Sequence, residues 1–298
     1  MRTALCLLAL AWVGTAQAQS EAPPPVEATH LSGPVWMLTG RGGNVAVTVG
    51  DDGVALVDDQ YANMTPGILA AIRKISDKPV RFVINTHWHP DHTGGNANLA
   101  GRGAIIVAQD NVRRRMSTEQ FMAFSGDTVP ASPEIALPMV TFSESATLHF
   151  NGEPVIARFV PKAHTDGDSI VYFTKSKVLH MGDAFWSGYY PRIDLDTGAN
   201  VQGAIAAVHT GLDMCLEGTR VIAGHGPLSN CQGLSDYLKM LETTTDRVRK
   251  LMDQGKTLDD IIDLQPNADY DASYGKWYVT PAQYLAIVYG SLKPADGS

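Results

Sequence analysis

Three histidines and one aspartate fall within six positions, His87-Trp88-His89-Pro90-Asp91-His92, directly after the apolar run 80–85. Such a run reads as a buried strand that delivers its last residues to a site. In extended backbone alternate side chains point the same way, so His87 and His89 converge on one point. Asp91 and His92 turn from the chain towards a neighbouring point. Pro90 stiffens the corner, and Gly94-Gly95 lets the next helix begin close behind it. Imidazole nitrogens and a carboxylate at this density suit Zn²⁺, which keeps an open position in catalytic sites. A lone histidine is more often a core residue than a ligand, but four donors at a strand end are hard to explain by packing.

The surrounding alternation is that of an α/β protein. Strand signals at 35–39, 44–49 and 54–57 are separated by Gly40, Gly42 and Gly43 and by the turn Asp51-Asp52-Gly53. A helix is expected with Thr65 as N-cap and Pro66 as its first residue, another from about Gly95, then a strand at 104–108 and a helix at 110–116. Residues 117–133 lack periodicity but carry Phe121, Met122 and Phe124. Strands are expected at 140–142, 147–150, 154–159, 169–173, 177–180 and 219–223. Helices are expected at 201–212, 234–252, 258–262 and 281–289. Both element types occur in each half with no composition break, which predicts one domain of two packed sheets covered by helices.

The cluster resembles the His-x-His-x-Asp-His signature of the metallo-β-lactamase superfamily, and further motifs answer in order. Ala163-His164-Thr165-Asp166-Gly167-Asp168 resembles the family's third histidine motif, Met181-Gly182-Asp183 its bridging carboxylate, and Ala223-Gly224-His225-Gly226 its last histidine. The resemblance implies an αββα four-layer sandwich of two mixed β-sheets flanked by helices. It implies two Zn²⁺ per chain, iron being the other candidate metal. His87, His89 and His164 would hold the first and Asp91, His92 and His225 the second, with Asp183 between them. A metal-bound water would be the nucleophile, and Asp91 would orient it and relay a proton. Asp58 is placed to brace a ligand imidazole, and Asp166 and Asp168 either do the same or cap their turn. His30, His149 and His209 read as ordinary packing or surface residues; His180, three residues before Asp183, reads as packing in preference to support of a ligand.

Departures from the family pattern bear on substrate. Many β-lactamases of this superfamily carry Cys in place of Asp183 and a Lys three residues later, where this chain has Trp186. Quorum-signal lactonases carry a Tyr there. The full ligand set is closer to glyoxalase II and the lactonases, although the helical tail lacks an obvious basic cluster. Trp186, Ser187, Tyr189 and Arg192 are the candidate substrate contacts, with Tyr190 beside them and Phe121 and Phe124 as an apolar lid. The expected activity is hydrolysis of a small lactam, lactone or (thio)ester, with modest β-lactam turnover. The alternatives are an iron-dependent sulfur dioxygenase on the same fold and a non-catalytic periplasmic metal-binding protein.

A formal charge of −8 argues against a nucleic-acid partner, which would need a basic face. The run Arg113-Arg114-Arg115 reads as a solvated helix face. Arg2, the apolar stretch 5–13 and Ala16-Gln17-Ala18 read as an export signal cleaved near Ala18. The mature protein is then expected in the periplasm or secreted. A flexible lead at 19–30 and one domain at 31–298 would follow, with no membrane span and an oligomeric state left open. Cleavage leaves Cys215 and Cys231, an even pair that is a disulfide candidate in an oxidising compartment.

Overall fold

The computed structural model describes residues 25–293. The expected signal at 1–18 lies outside the described residues, as do residues 19–24 of the lead.

The amino-terminal half builds one sheet. Strands β1 (Glu27–Ser32), β2 (Val35–Thr39), β3 (Val45–Gly50) and β4 (Gly53–Val57) pair antiparallel in sequence order. After helix α1 (Thr65–Arg73), β5 (Val80–Ile84) joins β4 in parallel. Short helices α2 (Pro90–Thr93) and α3 (Asn96–Ala100) lead to β6 (Ile105–Gln109), parallel to β5, and α4 (Asp110–Met116) follows. A separate hairpin of β7 (Gln120–Met122) and β8 (Asp127–Val129) precedes β9 (Val140–Phe142), which completes the sheet beside β6.

The carboxy-terminal half builds the second sheet. β10 (Ser145–Phe150), β11 (Glu153–Phe159), β12 (Ser169–Phe173) and β13 (Val178–His180) form an antiparallel meander. Helix α5 (Val201–Asp213) crosses to β14 (Arg220–Ile222), parallel to β13, and β15 (Ser229–Asn230) forms the edge. Helices α6 (Cys231–Asp253), α7 (Leu258–Leu264), α8 (Ala268–Tyr274) and α9 (Pro281–Leu292) complete the described chain.

The period of two along the strands sorts these elements into four layers. Val45 and Val47 of β3 share a core with Ile68 and Ile72 of α1, whereas Ala46 faces the seam between the sheets. On β12, Ile170 and Tyr172 belong to the core with Leu234, Tyr237 and Leu241 of α6, while Val171 and Phe173 meet Val35 and Met37 in the seam. The architecture is the expected αββα sandwich of two mixed sheets.

Several local expectations are corrected. The lead does not run to residue 30, because β1 begins at Glu27 and pairs with β2. Its first four residues are exposed, so no alternation of apolar side chains announces it. Met64, not Thr65, is the N-cap of α1, and Thr65 opens the helix ahead of Pro66. The segment without periodicity holds the β7–β8 hairpin, and α8 was not anticipated. The arginine run is not simply solvated: Arg115 forms an ion pair with Asp166 at 2.9 Å, and Arg113 Nη1 donates to Pro138 O at 2.7 Å. Cys215 and Cys231 form the anticipated disulfide, with Cα atoms 5.9 Å apart, tying the end of α5 to the start of α6.

Candidate metal centre

The seven donors come together where strands of both sheets end. His87 follows β5, and His89 caps α2, which carries Asp91 and His92. His164 lies between β11 and β12, Asp183 follows β13 and His225 follows β14. Close backbone approaches make this possible. A Cβ at Gly94 would come within 2.6–2.8 Å of Pro90 O, Ala62 N and Gln60 O, and one at Gly224 would strike the Asp183 carboxylate. Asn44 fastens the two sheets at the same place. Its amide donates to Ala223 O and Gly226 O at 2.8 and 2.9 Å, and its backbone N–H donates to Gly224 O at 2.7 Å.

Three overlapping groups of donor atoms each lie within 4.8 Å of one another: His87, His89 and His164; His87, His92 and Asp183; and Asp91, His92 and His225. Asp183 stands between the outer groups. Its Oδ2 is 3.4 Å from both His164 Nε2 and His225 Nε2, and its Oδ1 is 3.2 Å from His92 Nε2. Asp91 Oδ2 lies 3.3 Å from His225 Nε2.

The outer partners fix the tautomers. His92 Nδ1 donates to Asp58 Oδ2 at 2.7 Å, leaving Nε2 turned inward. Thr86 Oγ1 donates to the same carboxylate at 2.8 Å, so at 3.0 Å it accepts from His87 Nδ1. His164 Nδ1 donates to Arg192 O at 2.8 Å, and His89 Nε2 donates to Asp194 Oδ2 at 3.2 Å. The inward nitrogens of His87, His89 and His164 therefore carry lone pairs. His89 Nδ1 and His164 Nε2 are 2.8 Å apart, a repulsion that a shared cation removes. His87 Nε2 and Asp183 Oδ1 are buried without a hydrogen-bond partner, as expected of atoms reserved for a cation.

Burial and mutual charge divide the donors by protonation state. Burial, with the neighbouring imidazoles, keeps His87 well below the ordinary histidine range, and burial takes His164 down to about 3. Burial opposes ionisation of Asp183, yet the surrounding histidines hold its carboxyl well below the ordinary carboxylate range. Burial likewise opposes the charge on His225, but Asp183 and Asp91 bring it up to about 9. Against its own burial, His92 is raised well above the ordinary range by Asp183, Asp91 and Asp58. Neutral His87 and His164 and ionised Asp183 are in the forms that bind a divalent metal, whereas His225 and His92 release a proton on binding one.

Asp58 is the brace anticipated, and it holds a left-handed backbone conformation (φ 64°) to reach Thr86 and His92. Asp168 caps its turn through the backbone N–H groups of His164 and Thr165. His180 does more than pack: its Nε2 donates to Asn44 O at 3.0 Å and its Nδ1 accepts from Gly182 N. Asp194 was missed.

A cavity of about 410 Å³ opens over the donors, lined among others by Trp186 and Arg192. The other candidate substrate contacts do not line it. Ser187 spends its backbone N–H on His225 O, and Tyr189 backs Trp277 at 4.6 Å. Tyr190 is fully buried and donates to Asp271. Phe121 points into solvent, 64% exposed, and Phe124 packs against Arg192 and Tyr278. The hairpin does cover the cavity, but through Met122, Ser125, Asp127 and Val129. Arg41, Tyr61, Trp277 and Tyr278 also line it. No motif spacing links them to the ligands.

A family model described as the metallo-beta-lactamase superfamily matches residues 38–248. The chain belongs to the metallo-β-lactamase superfamily. Among its relatives, the linear primary-alkylsulfatase of Pseudomonas sp. (strain ATCC 19151) is 24% identical over 81% of this chain and 52% of its own length. A hydroxyacylglutathione hydrolase of Synechococcus sp. (strain JA-3-3Ab) is 28% identical over 48% of each chain. The chain thus spans about half the length of these curated relatives. The solved stereoselective inverting sec-alkylsulfatase from Pseudomonas sp. superposes with a TM-score of 0.69 at 17% identity, covering 91% of this chain and 51% of that one. Trp277 and Tyr278 lie beyond the region matched by the metallo-β-lactamase model.

Proposed function

We propose that the protein is a dinuclear zinc-dependent hydrolase that cleaves a carbonyl–heteroatom bond in a small lactam, lactone or (thio)ester. The position of Asp183, one carboxylate within 3.4 Å of donors from both outer histidine groups, carries the reading. His87, His89 and His164 would hold one metal, and Asp91, His92 and His225 the other. When bound, such metals lower the pKa of water from about 15.7 towards 7 and polarise the substrate carbonyl. The protein contributes position and charge. Asp58, Thr86, Asp194 and the Arg192 carbonyl hold the imidazoles in their ligating tautomers. Asp91 is partly open to the cavity, placing its carboxylate where it can accept a proton from the nucleophile and pass it to the leaving atom. The β7–β8 hairpin limits access of bulk water.

A second reading, hydrolysis of a sulfate monoester, is favoured by the buried guanidinium of Arg192 at the cavity and by the alkylsulfatase relatives. The iron dioxygenase alternative would use two histidines and one aspartate, which leaves four of the seven donors without a role. An exported location with cleavage near Ala18 belongs to the same proposal, and the Cys215–Cys231 bridge supports it.

Metal analysis of purified protein, paired with assays of ester, lactone, thioester, β-lactam and sulfate-ester hydrolysis, tests the proposal. About two zinc ions per chain with turnover of a carbonyl substrate are expected. One tightly held iron without hydrolysis sinks it, and turnover of the sulfate ester alone selects the second reading.

A further inference from the structure

The cavity has an aromatic wall. Trp186 lies between His225 (4.6 Å between ring centroids) and Trp277 (5.5 Å), and Trp277 also packs on His225 at 5.3 Å. Tyr189 supports Trp277 from behind at 4.6 Å, and Phe124 supports Tyr278 at 5.4 Å. Trp277 and Tyr278 are held from behind yet 46% and 45% exposed where they line the cavity. Apolar surface left in water forgoes roughly 25 cal/mol per Å², so an occupant presenting a flat face gains by covering these rings.

The second anchor is Arg192. It is only 5% exposed, and its Nε and Nη2 find no hydrogen-bond partner. Among the described residues no carboxylate lies within ion-pair distance of its guanidinium, which sits 5.3 Å from the Phe124 ring centre. A buried cation lacking a counter-charge is costly unless a ligand supplies one. The two anchors adjoin different donors: the Arg192 carbonyl holds His164, and Trp277 packs on His225.

We infer that Trp277, Tyr278 and Arg192 form a two-part subsite for an aromatic oxyanion. The flat ring of the ligand lies on the His225 side, its carboxylate or sulfonate-type group on the His164 side, and its scissile bond over the donors between them. This rests on the hydrolase reading and narrows it to substrates that carry both a ring and an anionic group. Of the other charged groups lining the cavity, Arg41 lies at the exposed rim over Tyr61, and Asp91, Asp183 and Asp127 carry carboxylates.

Calorimetric titration of the zinc-loaded full chain tests the subsite through binding rather than turnover. The probes are 3-phenylpropanoate, propanoate, 3-phenylpropanamide and phenylmethanesulfonate. 3-Phenylpropanoate should bind at least about tenfold tighter than propanoate, the ratio that some 1.4 kcal/mol of ring contact gives. Trp277→Ala should abolish that ratio, and Trp277→Phe should keep most of it. At least one anionic aromatic should outbind the amide, and the tighter of the two anions names the oxyanion. Arg192→Gln should erase the preference for anions while leaving the ring advantage. A ring advantage indifferent to Trp277→Ala overturns the inference. So does an anion preference that survives Arg192→Gln, which would assign it to the metals, or one lost instead in Arg41→Gln. A protein that hydrolyses nothing yet shows the expected ratios would overturn the hydrolase reading alone.

Discussion

Asp194 Oδ2 accepts a hydrogen bond from His89 Nε2 at 3.2 Å, and this turns the Nδ1 lone pair of His89 into the metal centre. The same residue donates its backbone N–H to His164 O at 2.8 Å, so one short segment orients two donors of the first group. Burial opposes the Asp194 charge, but His89 keeps its carboxyl below the ordinary aspartate range, and it accepts as an anion.

Asp194→Ala should therefore weaken metal binding at the first group by about 10–100-fold, the usual effect of losing an outer hydrogen-bond partner of a ligand. Competition with a chromophoric chelator measures this. Unchanged affinity would mean that packing alone orients His89.

Asp183→Ala removes the one carboxylate that lies beside donors of both outer groups. The expected outcome is a folded protein that retains about one metal per chain and loses about 100-fold or more in kcat, beyond what outer-partner losses give. Circular dichroism, elemental analysis and kinetics together check it; a variant with full metal content and activity would show that the carboxylate does not bridge.

Replacing Cys215 and Cys231 together by Ser should lower stability by roughly 3 kcal/mol, the chain-entropy value for a loop of about this size. For a domain of this length that corresponds to a fall in Tm of about 6–12 °C. Turnover at 25 °C should persist, because neither cysteine lines the cavity. Equal urea midpoints for the two proteins would contradict this.

Arg192→Ala should reduce kcat/KM for substrates bearing a carboxylate or sulfate by about 10–100-fold, since hydrogen bonds to charged groups contribute about 1.5–3 kcal/mol. Neutral aryl esters should lose several-fold less. Uniform losses across charged and neutral substrates would give the Arg192 side chain a purely structural part, in holding the segment whose carbonyl meets His164.

The donors were readable because each sits in a short motif at a strand end, where local spacing carries the geometry. His87 and His89 alternate, and Gly224 precedes His225 where a Cβ could not fit beside Asp183. Asp194 was not readable: its partner His89 is 105 residues away in sequence, and an Asp after Arg192-Ile193 has no motif to mark it. Trp277 and Tyr278 announced themselves only as an aromatic pair after Gly275-Lys276, a pattern equally compatible with core packing. Ser187 and Tyr189 are near Asp183 in sequence and Phe124 lies in the aperiodic segment, but backbone pairing and ring stacking direct them elsewhere. Strand β1 and the β7–β8 hairpin escaped because their exposed faces carry no apolar rhythm.

Asn44 bonds across the seam to the backbone around His225, and the donors themselves come from both sides of that seam. A bound cation is thus a clasp whose grip registers how the two sheets are aligned. Substitutions deep in the seam, such as Phe173→Ala, touch no ligand and yet would loosen that alignment. They should appear first as leakage of metal, before any loss of secondary structure. Resistance to metal scavenging in such a protein depends on packing throughout its interior as well as on the donors at its centre.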